Sequence, residues 1–179
     1  MLLHIFKRLG KVADEAIVKM VYFSLCQSIL GYCIVSWGSA AKSHMMKIER
    51  AQRALLKVAY RRPYRYRTNL LYAETKVLRV RQLYILSTTM RFHKTSHYGC
   101  RSQQRSSRLI NWDRPYINKP FGRRSFAFMG PYLYTKLNKS LKILKQRRKI
   151  CSKVISLWLL NLDYEKTEDV LKTCHKKAT

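Results

Sequence analysis

The sequence predicts a mainly α-helical fold: a small helical bundle with a long basic irregular loop in the middle and a C-terminal helix. Apolar residues recur three and four positions apart over several stretches, and no clear pair of strand-like runs is present. The segment 96–125 differs from its flanks because it is polar, rich in arginine and interrupted by glycine and proline. We therefore expect a helical domain at 1–95, a basic loop or linker at 96–125 and a C-terminal helical segment at 126–179.

The first predicted helix begins at Asp14 and Glu15 and reaches about Tyr32. Carboxylates favour the first turn of a helix because they interact with the positive end of its dipole. Apolar residues follow at helical spacing and predict the buried face, namely Ile17, Val21, Leu25 and Ile29.

Cysteine usage indicates a reducing compartment. The chain has five cysteines, and its first nine residues are too short an apolar stretch for the core of a secretory signal. Cys26 and Cys33 lie roughly 10 Å apart along the predicted helix, too far for a disulfide. We interpret both as small core residues in the reduced state. The chain is then intracellular, with the nucleus as one candidate location.

Residues 20–41 form an uncharged run that is nominally long enough to span a bilayer. Serine, glutamine and glycine dilute it, so a buried core helix that turns into a loop at Trp37-Gly38 explains the run better. The alternative interpretation of the whole chain is a small basic membrane or organellar protein anchored through residues 20–41.

A second helix is predicted from an N-cap at Ser43 to Tyr60, where Arg62-Pro63 stops it. On a helical wheel one side is apolar and consists of Ile48, Ala51, Leu55, Val58 and Ala59. The other side carries a basic stripe of Lys47, Arg50, Arg53, Lys57 and Arg61. Glu49 is the only acid of this helix, so the salt bridges of an ordinary solvated face are missing. We expect the stripe to bind a nucleic-acid backbone, with a merely solvated face as the alternative.

Further helices are predicted along the rest of the chain. A short helix at 68–74 is expected to be capped by Thr68, and another follows at 78–95, with Leu83, Leu86 and Met90 spaced for the core. A helical pattern resumes beyond Gly130-Pro131. The segment 141–162 reads as one helix with a basic first half and an apolar second half, and 166–179 as a polar helix.

The charge balance predicts a polyanionic partner. The chain has 37 lysines and arginines against 9 acidic residues, a formal net charge of +28. Between residues 16 and 162 the only acids are Glu49, Glu74 and Asp113. Such self-repulsion destabilises a compact state unless an anion neutralises it. RNA or DNA is therefore the expected partner.

The segment 61–67 is the most informative candidate site. If Pro63 holds it extended, Arg65 and Arg67 lie on one side and Tyr64 and Tyr66 on the other. Arginines, including Arg61 and Arg62, could then contact phosphates while the tyrosines stack on bases. The alternative is a surface loop whose tyrosines anchor onto the helices. Further candidate contacts are Arg123 and Arg124 beside Gly122, and Arg147 and Arg148 in the basic half of the late helix.

No catalytic centre is evident. The neighbouring acids at 14–15 and 168–169 point about 100° apart on a helix, so they do not converge on metal ions. His93, His97 and Cys100 have a spacing that suits metal ligands, but a fourth ligand is missing. We expect no catalytic residue, metal, cofactor or small-molecule substrate.

The residues resemble the segment downstream of the polymerase core in jockey-like, LINE-type non-LTR retrotransposon reverse transcriptases. In that family an aromatic-rich helix with a Gln-Ser pair leads through a tyrosine to Trp-Gly, matched here by Gln27-Ser28, Tyr32 and Trp37-Gly38. Cys33 stands where glycine is usual. The similarity continues, in order, through 48–56, 70–72, 77–78, 82–84, 122–125, 130–131 and Leu137.

The resemblance implies an RNA-directed DNA polymerase that copies a mobile element's RNA at a nicked chromosomal target. The matching part is the thumb-side end, which makes 1–95 a thumb-like domain that grips template, primer or element RNA. The fingers, the palm with its paired aspartates and any endonuclease are expected upstream of Met1, so catalytic activity is not carried over. A structural protein of a ribonucleoprotein particle is a third hypothesis.

Overall fold

The computed structural model describes residues 2–99, 117, 119 and 121–172. The described residues form helices and no strand, which confirms the mainly α fold and the C-terminal helix. Most of the predicted loop at 96–125 lies outside the described residues. The chain divides into two compact units, Met1–Tyr84 and Ile85–Thr179. The predicted limits at 95 and 125 stay a prediction.

The first unit contains a series of helices joined by short connections. They are α1 (Leu2–Val12), α2 (Glu15–Val21), a π-helical stretch (Tyr22–Gln27), α3 (Ser28–Gly31), α4 (Ile34–Trp37), α5 (Lys42–Ala59), α6 (Thr68–Thr75) and the start of α7 (Val80–Gly99). Sequence analysis did not identify α1, which packs against α5. Their close approach depends on Gly10, because a Cβ atom there would lie 3.1 Å from the Ala59 carbonyl oxygen.

The helix predicted from Asp14 is present, but its buried face was predicted wrongly. Val18, Tyr22 and Cys26 are buried, whereas the expected core residues Ile17, Leu25 and Ile29 are exposed and Val21 is only half-buried. Every side of this stretch is apolar, so periodicity alone does not select the buried one. The π-helical stretch also places one more residue in its turn, which shifts the face that follows.

The uncharged run 20–41 does not form one continuous helix. It breaks at Tyr32 and Cys33, and Cys33 adopts a left-handed backbone with φ 48°. Cys26 is buried as expected, but Cys33 is exposed, which corrects its assignment to the core. Among the described helices, none is long and apolar enough to cross a membrane.

Trp37-Gly38 ends the α4 segment as predicted, and the geometry explains the glycine. A Cβ atom on Gly38 would lie 2.4 Å from the Tyr84 ring and 2.5 Å from the Ile34 carbonyl oxygen. The Trp37 indole N–H donates to the Tyr32 carbonyl oxygen at 2.7 Å. This bond closes the break between α3 and α4.

Helix α5 begins at Lys42, so Ser43 is not its cap; the N-cap residue is Ala41 and makes no side-chain hydrogen bond. The buried side consists of Met45, Gln52, Leu55, Leu56 and Ala59. Of the predicted apolar side, Leu55 and Ala59 are confirmed, Ile48 and Val58 are half-buried, and Ala51 is exposed. The inward position taken by Gln52 accounts for this rotation, because the glutamine has buried hydrogen-bond partners.

The limits of the next two helices differ slightly from the prediction. Arg67, not Thr68, is the N-cap residue of α6. Helix α7 starts two residues later than expected and extends to Gly99. Leu83 and Met90 are buried, while Leu86 is half-buried.

The second unit contains a 3₁₀ turn (Gly122–Arg124), α8 (Phe126–Leu141), a second 3₁₀ turn (Ile143–Lys145), α9 (Arg148–Leu160) and α10 (Tyr164–Leu171). Two expectations were wrong here. Helix α8 runs through Gly130-Pro131 instead of starting beyond them, and the predicted helix 141–162 is broken at Lys142, which is left-handed with φ 48°. The Lys136 ammonium donates to the carbonyl oxygens of Asp169 at 2.8 Å and Val170 at 3.1 Å, and thus joins α8 to α10.

Candidate nucleic-acid interface

The C-terminal end of α5 is closed by a Schellman motif that sets the direction of the following segment. The Arg62 N–H donates to the Lys57 carbonyl oxygen at 2.8 Å, and the Arg61 N–H donates to the Val58 carbonyl oxygen at 3.3 Å. Arg61 has φ 50°, the left-handed conformation that this motif requires and that glycine usually supplies. The first two arginines of the candidate site therefore start from a fixed backbone.

The segment after Pro63 is a turn, and not the extended segment on which the predicted alternation depended. The Tyr66 N–H donates to the Pro63 carbonyl oxygen at 3.0 Å, which closes a four-residue turn. Proline suits a turn as well as a strand because it fixes φ alone. The expected alternation of arginines and tyrosines on two sides is thus absent from the turn. We call residues 61–67 the basic turn.

Glu74 on α6 fastens the second half of the basic turn. Its carboxylate pairs with the Arg62 guanidinium at 2.9 Å and accepts a hydrogen bond from the Tyr66 hydroxyl. The Arg62 guanidinium also lies 5.3 Å from the centre of the Tyr66 ring. The bond to Glu74 raises the pKa of Tyr66. Tyr66 and Arg62 therefore anchor the basic turn to α6. For Tyr66 this agrees with the alternative prediction of a surface loop whose tyrosines anchor onto the helices.

Tyr64 at the tip of the basic turn differs from Tyr66. Its side chain is 92% exposed, while its backbone is held because the Lys57 ammonium donates to the Tyr64 carbonyl oxygen. The same ammonium lies 5.6 Å from the centre of the Tyr64 ring. The ring is thus open to solvent on a backbone that is tied to α5.

The cations around the tip are available to a polyanion. Arg61, Arg65 and Arg67 are exposed, and no carboxylate among the described residues pairs with them. On α5, Lys47 and Arg50 are exposed, whereas Lys57 and Arg53 are half-buried, and Arg53 makes a long hydrogen bond of 3.4 Å to Thr68. The predicted stripe therefore contains exposed cations at both ends, Lys47 and Arg50 at one and Arg61 at the other, and cations with local partners between them.

A buried hydrogen-bond network supports α5 and α6. The Gln52 amide donates to the Tyr22 hydroxyl and to the Leu78 carbonyl oxygen, both at 2.9 Å, and accepts from the Tyr72 hydroxyl at 3.1 Å. Burial raises the pKa of Tyr22 to about 12 and also raises that of Tyr72. The buried Arg79 guanidinium lies 4.7 Å from the centre of the Tyr72 ring.

Sequence reasoning missed Gln52, Glu74 and Arg79. Glu74 carried a usable signal, because an isolated acid in so basic a region needs a cationic partner. Gln52 and Arg79 gave no such signal, because a sequence-based prediction assigns a polar residue to the solvent-exposed face of a helix even where the residue is buried.

An open cleft of about 400 Å³ adjoins the start of the basic turn, beside Arg61 and Arg62. Its lining residues carry both charges and include Lys11 as well as Asp14 and Glu15. Carboxylates repel phosphates, so the exposed tip of the basic turn suits a nucleic acid better than the cleft does.

The candidate residues of the second unit lie on two elements, the 3₁₀ turn Gly122–Arg124 and the start of α9. The Arg123 side chain donates to the Ile117 carbonyl oxygen at 2.9 Å, while Arg124 is exposed. Arg147 and Arg148 are exposed at the N-terminal end of α9, where the N-cap residue Arg147 makes no side-chain cap. Among the described residues, no carboxylate forms an ion pair with Arg124, Arg147 or Arg148.

No cluster of three His, Cys, Asp or Glu side chains that could hold a metal occurs within the described ranges. His93 is buried, and its Nδ1 atom lies 2.9 Å from the Tyr134 hydroxyl. Cys100 and the side chain of His97 lie outside the described residues.

Comparison with models of known families, with curated proteins and with solved structures found no match to this chain. The residues themselves are therefore the basis for assigning a function.

Proposed function

We propose that this chain binds nucleic acid through the basic turn and the adjoining stripe of α5. On this proposal it corresponds to the template-, primer- or RNA-gripping C-terminal region of a reverse transcriptase from a LINE-type non-LTR mobile element. The main support is a combination found at the basic turn. Arg61, Arg65 and Arg67 are exposed and have no carboxylate partner among the described residues, and the backbone that carries them is fixed from both sides. Lysine and arginine contacts to phosphates supply most of the affinity in such interfaces.

Preorganisation distinguishes the basic turn from a merely solvated loop. A flexible loop loses conformational entropy when it binds, and this loss subtracts from affinity. Here the Schellman motif, the Lys57 bond and the Glu74 clamp fix the backbone before any ligand arrives. The arginines between these attachments can then meet phosphates at a smaller entropic cost.

Two backbone features support the resemblance to the retrotransposon family. Cys33 occupies the position where that family usually has glycine, and its left-handed φ of 48° is a conformation that favours glycine. The Trp-Gly pair has a steric reason, because no side chain fits at Gly38. At residues 33 and 38 the backbone therefore favours or requires glycine, which is the residue that the family pattern has at both positions.

The proposal is tested by the salt dependence of RNA binding. Arg65→Ala/Arg67→Ala should weaken binding and reduce the slope of log affinity against log salt by about 0.7 for each phosphate that the protein no longer neutralises. Lys7→Ala/Arg8→Ala is the matched control, since it removes the same charge from exposed residues of α1. Equal effects from both variants would mean that net charge alone attracts RNA and would refute the site. Unchanged affinity and slope in the Arg65/Arg67 variant would also refute it.

A further inference from the structure

We infer that the basic turn recognises unpaired nucleotides, with Tyr64 as the single residue that stacks on a base. This inference rests on the proposed function and adds to it the class of nucleic acid and the residue that selects it. The sequence alone treats Tyr64 and Tyr66 as equivalent, but their surroundings separate them.

Tyr66 is already occupied. The Arg62 guanidinium lies 5.3 Å from the centre of its ring, its hydroxyl is bound to Glu74, and its side chain packs against the core of the first unit. Stacking a base on Tyr66 would require the displacement of Arg62 and the loss of an ion pair. The role of Tyr66 is therefore to position the turn.

Tyr64 meets the requirements of a stacking platform. Tyr64 is 92% exposed, and its carbonyl oxygen accepts a hydrogen bond from Lys57. The Lys57 ammonium also lies 5.6 Å from the centre of the Tyr64 ring, but the exposure of the residue leaves the ring accessible to a base. An aromatic ring on a fixed backbone loses little entropy when a base stacks on it. The exposed arginines on either side, Arg61 and Arg65, can contact the phosphates of the same strand.

Stacking on an exposed ring distinguishes unpaired from paired bases. In a duplex the faces of the bases are already stacked on their neighbours, whereas a single strand offers them to aromatic side chains. Phosphate contacts do not discriminate in this way, because both forms carry phosphates. The selectivity of the basic turn should therefore depend on Tyr64 and not on its arginines.

The test measures the affinity of the whole chain for an unstructured RNA and for a blunt RNA duplex of the same length. Tyr64→Ala should weaken binding to the single strand roughly five- to a hundredfold and leave the affinity for the duplex and both salt slopes unchanged. Tyr64→Phe should retain binding, because it keeps the ring. Tyr32→Ala is the matched control: Tyr32 is 77% exposed but lies in the uncharged run, and its removal should change neither affinity.

A second measurement, the fluorescence of a base analogue, detects stacking directly and does not depend on affinity. A fluorescent adenine analogue in the single strand should be quenched by the wild-type protein and by Tyr64→Phe, but not by Tyr64→Ala at saturating protein. An equal fall of single-strand and duplex affinity in Tyr64→Ala, or undiminished quenching, would overturn the inference. If Arg65→Ala/Arg67→Ala still weakens binding in that case, the proposed function survives; if it does not, both fall.

Discussion

The basic turn and the first turn of α9 carry similar residues and are built differently. In the basic turn Arg62 has a carboxylate and an aromatic ring as partners, and the backbone is tied to α5 and α6. At the start of α9 a run of three cations, 147–149, is exposed at the positive end of a helix dipole. The positive charge of Arg62 therefore forms contacts that stabilise the basic turn. At the start of α9 the positive charges lie at the positive end of the helix dipole and destabilise the helix.

This difference separates two ways of attracting a polyanion. The basic turn offers a preformed arrangement with a stacking ring and should discriminate between ligands. The first turn of α9 offers charge alone, which should contribute salt-dependent attraction without discrimination.

The largest effect should come from removing the network that supports the basic turn. Gln52→Leu leaves the Tyr22 and Tyr72 hydroxyls and the Leu78 carbonyl oxygen without their present partner. Because each buried unsatisfied group costs about 1–3 kcal/mol, the free energy of unfolding of the first unit should fall by roughly 3 kcal/mol or more. Hydrogen exchange should show weaker protection of α5 and α6 while α9 is unchanged. An equal decrease of protection in α9 would contradict a local role.

High pH should weaken the same network. Burial raises the pKa of Tyr22 from 10.0 to about 12, so the folded state holds its proton more tightly than the unfolded state does. The resulting stabilisation is complete below pH 10 and is lost as the pH rises from 10 towards 12. At about 1.4 kcal/mol per pKa unit, the complete loss for a shift of two units is on the order of 3 kcal/mol. Denaturant unfolding across this range should show the decline, and a flat profile would mean that Tyr22 is not buried.

Relief of the charge conflict at α9 should stabilise the second unit. Arg147→Ser supplies an N-cap side chain and removes a cation from the positive helix end, together worth about 1 kcal/mol. The melting temperature should rise. Lys153→Ala, the control, removes one exposed charge from the middle of the same helix and should change stability less. An equal rise in the control would point to general charge repulsion instead.

The smallest effect is expected at Arg61. Glycine adopts its left-handed conformation without strain, so Arg61→Gly should leave folding stability unchanged or raise it by less than about 1 kcal/mol. The same variant should reduce the salt slope of RNA binding, because it has one cation fewer. A marked decrease of stability would show that the Arg61 side chain, and not its backbone, holds the end of α5.

The sequence predicted the ends of helices well where a segment with apolar residues at helical spacing was followed by a residue that ends a helix. The end of α5 before Arg62-Pro63 and the turn at Trp37-Gly38 are examples, because proline and glycine act locally. It failed where several faces were equally apolar. Ile29 was expected inside and is 62% exposed, since the packing partner that selects a face is remote in sequence.

The residue types of the candidate site could be predicted from the sequence, but their arrangement in space could not. Arginine and tyrosine at 61–67 indicated a phosphate and base contact, yet Pro63 is compatible with both a strand and a turn. The separation of Tyr64 from Tyr66 depends on Glu74, which arrives from the next helix. Such a contact between elements leaves no local pattern.

The most direct test of nucleic-acid binding at the basic turn is to identify the residue that touches the base. An unstructured RNA containing photoreactive uridine analogues should be cross-linked to the whole chain, and the modified peptide sequenced by mass spectrometry. The account predicts a major cross-link at Tyr64 that disappears in Tyr64→Ala and is kept in Tyr32→Ala. Cross-links confined to residues 147–149, or unaffected by the removal of Tyr64, would contradict it.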